Sequence, residues 1–166
     1  MIEQSPAEAT FGFGVVFSDR ALGFLEDADP ESYQDIERSL QTWDDHAIVH
    51  RDQKVRIDGL AFSGIARLEL LQILQAHCRR RGVEVHFERR VTDLQTFKAD
   101  YDIVVGADGV NSVVREAYRD YFEPSAHLLS NQYVWYGTEQ VFDCLTLTFR
   151  RTRGSHHARR LHSLAD

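Results

Sequence analysis

Residues 106–115 set two glycines (Gly106 and Gly109), the carboxylate of Asp108, the hydroxyl of Ser112 and the guanidinium of Arg115 within ten consecutive positions. Glycine permits backbone angles and close approaches that a side chain blocks. A carboxylate beside such a turn can order neighbouring loop amides or accept hydrogen bonds from polar cofactor atoms. Ser112 has the side chain of a helix N-cap, and Arg115 can pair with Asp108 or with a phosphate. The plainer use of the same residues is a strand-turn-helix in which Asp108 is a solvated turn residue, because Asp-Gly is a common turn pair.

The elements that must position this turn follow from pattern. Ile103, Val104 and Val105 form a short apolar run that reads as a strand buried on both faces. Asp108 then falls at the strand's carboxyl end, where open α/β sheets bind ligands, and the expected fold class is α/β. Upstream, Ser18 predicts the N-cap of a helix over residues 18–28 with Leu22, Phe24 and Leu25 on its apolar face. Pro30 suits the first turn of a second helix carrying Tyr33, Ile36 and Leu40. Residues 47–57 alternate around Arg51-Asp52-Gln53 as a β-hairpin. Leu68, Leu71 and Leu74, with Leu70, Ile73 and Cys78 beside them, predict a helix over residues 67–81 that Gly82 ends. Val83, Val85 and Phe87 alternate as a strand, and residues 132–136 and 145–149 read as two more, antiparallel to each other.

A chain that is 43% hydrophobic and 27% charged has the composition of a globular domain with a real core. No apolar run approaches a membrane span, and the N-terminus lacks the basic region and apolar core of a signal peptide, so the expected location is the cytoplasm, with no membrane partner. A net charge of -7 argues against nucleic acid as a partner. Cys78 and Cys144 are far apart with no His-Cys cluster around either, which predicts reduced thiols and no metal site. His46, His50, His77 and His86 are scattered, and no side chain is assigned as a catalytic acid, base or nucleophile. Oligomeric state is left open.

The stretch Ile-Val-Val-Gly-Ala-Asp-Gly-Val-Asn-Ser-Val-Val-Arg at 103–115 resembles the Asp-Gly motif of the flavin-dependent aromatic hydroxylases, the p-hydroxybenzoate hydroxylase-like FAD monooxygenases. Thr-Phe-Gly-Phe-Gly-Val-Val-Phe-Ser-Asp at 10–19, Trp43-Asp44-Asp45 and Phe62-Ser63-Gly64-Ile65-Ala66-Arg67 are similar to one subgroup, the salicylyl-CoA 5-hydroxylases and 2-aminobenzoyl-CoA (anthraniloyl-CoA) monooxygenases. The resemblance spans residues 2–150. It implies a partial Rossmann-like FAD-binding domain over 1–125, with a hairpin insertion at 44–60, and the start of an antiparallel substrate-domain sheet over 126–150. It also implies FAD as cofactor, NADH or NADPH as co-substrate, and a small aromatic substrate, such as an aromatic CoA thioester, hydroxylated with O2. Glu3 matches the family's acid for the adenosine ribose of FAD, and Arg67 a position that approaches the flavin or a phosphate. Asp108 matches the residue that organises the FAD pyrophosphate and the nicotinamide approach; Gly106, Gly109 and Arg115 complete that motif. Taken alone, Glu3 reads more readily as a terminal surface charge, and Arg67 equally well as an exposed first-turn arginine.

The departures carry weight too. Only Met1 and Ile2 precede Glu3, so the family's first strand, Gly-x-Gly-x-x-Gly loop and first helix are expected to be missing, and this chain unaided is expected to hold FAD weakly and to hydroxylate nothing. The Gly12-Phe13-Gly14 segment is not that loop, because Phe17 stands at the third glycine and no strand leads into it. Residues 151–166 hold Arg151, Arg153, Arg159 and Arg160 against the single acid Asp166. A basic arm, or a metal tract from His156, His157 and His162, lacks persuasive spacing; the preferred reading is an out-of-frame tail, expected to be disordered. Two functions compete with a monooxygenase fragment: a non-catalytic nucleotide-binding module and the nonfunctional remnant of a frameshifted gene.

Overall fold

The computed structural model describes residues 1–98, 100–130, 132, 141–152 and 155–161. The fold is mixed α/β, and the chain divides into two units, one of Met1–Ala7 and Glu84–Val134, the other of Glu8–Val83 and Trp135–Asp166.

In the second unit, β1 (Gly14–Ser18) runs directly into α1 (Asp19–Ala28), and Ser18 caps the helix by accepting from the Ala21 amide at 3.4 Å. Pro30 opens α2 (Pro30–Glu37), where its missing N–H leaves no bond unmade; Asp29 caps it, accepting from the Ser32 amide at 3.4 Å and the Ser32 hydroxyl at 2.6 Å. Leu22 and Ile36 are buried as expected, whereas Phe24 is exposed. The expected hairpin is present as β2 (Gln41–His50) and β3 (Gln53–Ala66). Arg51 and Asp52 have φ of +51° and +63°, the pair of left-handed residues that a two-residue type I′ turn requires. The hairpin exceeds the expected bounds because a register shift between Trp43 and Asp45 interrupts the alternation that sequence pattern relies on, and pairing resumes beyond it.

α3 (Arg67–Arg80) closes with a Schellman arrangement, the Val83 amide donating to the Cys78 carbonyl at 2.9 Å and the Gly82 amide to Arg79 at 3.0 Å. Its last turn is tied to α2: Arg81 forks onto Asp29 at 3.0 and 2.8 Å, and Asp35 receives Arg80 at 3.0 Å and faces His77 Nε2 at 2.9 Å. The sheet order is β1-β3-β2-β4-β5, with β4 (Leu145–Thr152) parallel to β2 and β5 (Ser155–Leu161) antiparallel to β4. Leu22, Ile36, Trp43, Ala47, Ile65, Cys144 and Leu145 make the core of this unit among the described residues, and Cys78 and Cys144 are both free thiols. β5 lies where disorder was expected: ladder hydrogen bonds join main chains, so an arginine- and histidine-rich segment can pair as readily as an apolar one. The strand expected at 132–136 lies outside the described residues apart from Gln132, which is not in a strand.

The first unit departs further from expectation. Of the strand expected at Val83, Val85 and Phe87, one parallel bridge forms, Ile2 to His86, framed by Glu3 N–H to His86 O and His86 N–H to Met1 O, both at 2.9 Å. α4 (Gln95–Lys98), α5 (Val113–Ala117) and α6 (Arg119–Phe122) are short. Ile103, Val104 and Val105 form no strand among the described residues, and Ile103 and Val105 are 80% and 82% exposed. A strand forms only where a neighbouring segment takes up its ladder hydrogen bonds, and no described segment of this unit pairs with this one. The expected parallel, Rossmann-like sheet is therefore not formed among the described residues, where the hydrogen-bonded sheet is predominantly antiparallel.

Candidate functional site

The turn at 106–111 leads from the apolar segment at 103–105 into α5, and its geometry depends on two glycines. A Cβ built on Gly106 would lie 2.6 Å from Val114 Cγ2, far inside van der Waals contact, so the chain packs flat against α5 only because that position is bare. Gly109 has φ +77°, in the left-handed region that disfavours side chains. Ser112 caps α5 as expected, its Oγ accepting from the Arg115 amide at 3.0 Å.

Asp108 turns inward on this helix start. Its Oδ2 accepts from the amides of Val113 at 2.6 Å and Val114 at 3.3 Å. The hydrogen bond from the Ser112 hydroxyl, followed by those two amides, holds the Asp108 carboxyl below the usual carboxylate range. Arg115 pairs with neither Asp108 nor a free anion position; its guanidinium donates to the carbonyls of Gly109 (3.4 Å) and Val110. Both charged residues thus brace their own loop. The participation of Val113 and Val114 was not read from the sequence, although a helix start five residues after Asp108 was the available signal.

Gly106, Asp108, Gly109 and Arg115 line one open groove of about 680 Å³ together with Val105 and Phe122. Glu3 sits on the Ile2–His86 bridge, its Oε1 accepting from the Ser5 amide at 2.7 Å and the rest of the side chain in water. Arg67 belongs to the other unit: its amide donates to the Phe13 carbonyl at 3.0 Å and its side chain is exposed at the start of α3. Among the described residues, no group of His, Cys, Asp or Glu could hold a metal ion, and no helix is long and apolar enough to cross a membrane.

No family model matches the chain. Its curated homologues are nonetheless consistent: they are aromatic monooxygenases. It is 36% identical over 146 residues to salicyloyl-CoA 5-hydroxylase from Streptomyces sp, an alignment covering 88% of this chain and 28% of that protein. It is 32% identical over 154 residues to protodeoxyviolaceinate monooxygenase from Chromobacterium violaceum, covering 90% and 40%. The chain thus spans well under half the length of these relatives. Among solved structures, FqzB shares the fold with a TM-score of 0.52 at 21% identity, over 72% of this chain and 32% of that one.

Proposed function

We propose that the chain is part of an FAD-dependent aromatic monooxygenase that hydroxylates a small aromatic substrate carried as a CoA thioester, with NADH or NADPH as reductant and O2 as oxygen donor. The observation that carries this reading is the groove at 106–115, where a position that must lack a side chain and an inward-facing carboxylate fix the first turn of α5. The 36% identity to salicyloyl-CoA 5-hydroxylase supports both the reaction class and the thioester.

In the unit of Met1–Ala7 and Glu84–Val134, the residues present fit such a cofactor. Glu3 keeps an oxygen in water that can accept from ribose hydroxyls. Asp108 would repel a phosphate at contact distance, and its carboxylate is already bonded to its own amides, so its role is to hold the loop that the cofactor lies against. Arg115 supports the same loop through two carbonyls. Arg67 belongs to the other unit, and considered by itself its exposed guanidinium suits a phosphate or a flavin edge. FAD, when bound, supplies the redox chemistry, and none of these side chains is assigned as an acid, base or nucleophile.

The test is a fluorescence titration of the purified chain with FAD. Saturable binding with Kd on the order of 10 μM or weaker is expected, with Asp108→Ala raising Kd about ten-fold at unchanged overall helix content. Absence of saturable binding up to ~1 mM overturns the flavin reading. Unchanged affinity in Asp108→Ala reduces Asp108 to a turn residue.

A further inference from the structure

β5 pairs with β4 along one edge and stands last in the order β1-β3-β2-β4-β5, so among the described residues its other edge has no neighbour. Such an edge presents a row of main-chain N–H and C=O groups without ladder partners. β1 ends the same sheet on the opposite side, but it is a five-residue strand without a charge. β5 differs in what it carries. Residues 145–161 hold five arginines and two histidines and no acid, in a chain whose net charge is -7. The register gathers that charge at one end of the sheet, with Arg150 opposite His157, Arg151 opposite His156, and Arg159 and Arg160 opposite Thr148 and Leu147.

An open edge and a run of positive charge together select an occupant. A strand of the same kind is rejected: antiparallel pairing of β5 with β5 of a second copy brings two arginines from each strand together, and like charges on opposed strands are destabilising. An uncharged strand offers the arginines nothing, which is how charges on an edge ordinarily suppress such pairing. A single-stranded nucleic acid would answer the arginines through its phosphates, but it cannot extend a peptide ladder, and β5 lacks Phe, Tyr and Trp for bases to stack on. An extended acidic segment meets both demands, main chain to main chain along the edge and with acids at the strand positions opposite the arginines. We propose that the free edge of β5 docks an extended acidic segment of a partner protein, which adds to the five-stranded sheet as a sixth strand. The charges that turn other strands away are then the selecting element. This inference is independent of the flavin reading above.

The experiment titrates the full purified chain with two fluorescein-labelled decapeptides of alternating sequence, one Glu-Val and one Lys-Val, following fluorescence anisotropy. The Glu-Val peptide should bind with Kd on the order of 10–100 μM, and the Lys-Val peptide about ten-fold more weakly or worse. Raising salt from about 50 mM to about 500 mM should weaken Glu-Val binding several-fold. Hydrogen exchange at the β5 amides should slow when the Glu-Val peptide is added, which a purely electrostatic contact would not produce. Arg159→Glu/Arg160→Glu should invert the preference, and a gain of Lys-Val binding shows that the variant strand still forms. No saturable binding up to ~1 mM, equal affinity for the two peptides, no inversion in the double variant, or binding that leaves the β5 amides unprotected each overturns the proposal. Tighter binding of an oligothymidylate than of the Glu-Val peptide overturns it in favour of nucleic acid. Protection of β5 that grows with protein concentration alone overturns it in favour of a second copy.

Discussion

The two units hold similar apolar segments and treat them differently. Ile65 on β3 is 1% exposed and pairs with Val15 of β1 in an antiparallel ladder, while Ile103, in a more apolar run, stands 80% exposed with no strand beside it. All the buried hydrophobic residues among those described, from Leu22 to Leu145, belong to the unit containing the hairpin. Side-chain hydrophobicity is thus not what separates the two segments; the presence of a backbone partner is. A β-strand is stabilised only through its neighbours, so an apolar run states what a segment requires and not whether the requirement is met. The candidate groove lies in the unit with few long-range pairings, and its geometry is held by local bonds from Asp108, Ser112 and Arg115.

The largest effect that tests this contrast is Ile36→Ala. Ile36 is fully enclosed between α2 and its neighbours, so the truncation should cost about 2–5 kcal/mol, read from urea unfolding of the purified chain. A cost below about 1 kcal/mol would mean that the core of the hairpin unit is loosely packed and that the two units differ less than described.

Next in size is Gly106→Ala. The new methyl would meet Val114, whose branched side chain has little freedom to withdraw, and the overpacking should cost about 1–3 kcal/mol locally. Hydrogen exchange at the α5 amides reads this directly. Gly23→Ala is the counterpart in the other unit: inside α1, with nothing within 4 Å of the added methyl, it should stabilise by about 0.5–1 kcal/mol. Equal effects at the two glycines would remove the claim that the 106–115 turn requires a bare position.

What the sequence made legible divides along the same line. The caps at Ser18 and Ser112, the first-turn proline of α2, the turn at Arg51-Asp52 and the end of α3 are local events, decided by residues within a few positions of one another. The gathering of Gly106, Asp108, Gly109 and Arg115 at one groove was legible for the same reason. The parallel pairing of β2 with β4, the bulge after Trp43 and the pairing of β5 join distant segments, and nothing in the local pattern of either partner specifies them. The inward turn of Arg115 was missed because carbonyl acceptors leave no mark in side-chain identity.

A smaller effect should appear on acidification of the α2–α3 tie. The hydrogen bonds from Arg81, and then from Ser32, hold the Asp29 carboxyl below its ordinary range. A carboxyl depressed in the folded state contributes stability that is present above its unfolded pKa of about 4 and is lost as pH falls through the folded value. Both partners are partly in water, which keeps the contribution modest. Arg81→Ala should therefore lower the urea midpoint at pH 7 and flatten its decline between about pH 4 and pH 2, relative to the parent. A parallel decline in parent and variant would show that Asp29 is held by its Ser32 cap alone.

The smallest expected effect belongs to Ile103→Ala. Truncating a side chain that is already four-fifths in water removes little buried area and opens no cavity, so the change in unfolding free energy should stay within about 0.5 kcal/mol. The chemically similar change at Ile36 is expected to cost several times more, and the ratio of the two is the quantitative form of the contrast between the units. Val105→Thr, which keeps the β-branched shape and adds a hydroxyl, should be similarly silent, because the hydroxyl meets water. A cost of about 2 kcal/mol or more at either position would require Ile103 and Val105 to be buried in solution. The segment would then have found the neighbouring strand that its sequence is suited to, through a second copy of the chain. Repeating the denaturation over a hundred-fold range of protein concentration decides this, since stability drawn from a second copy rises with concentration and stability from within one chain does not.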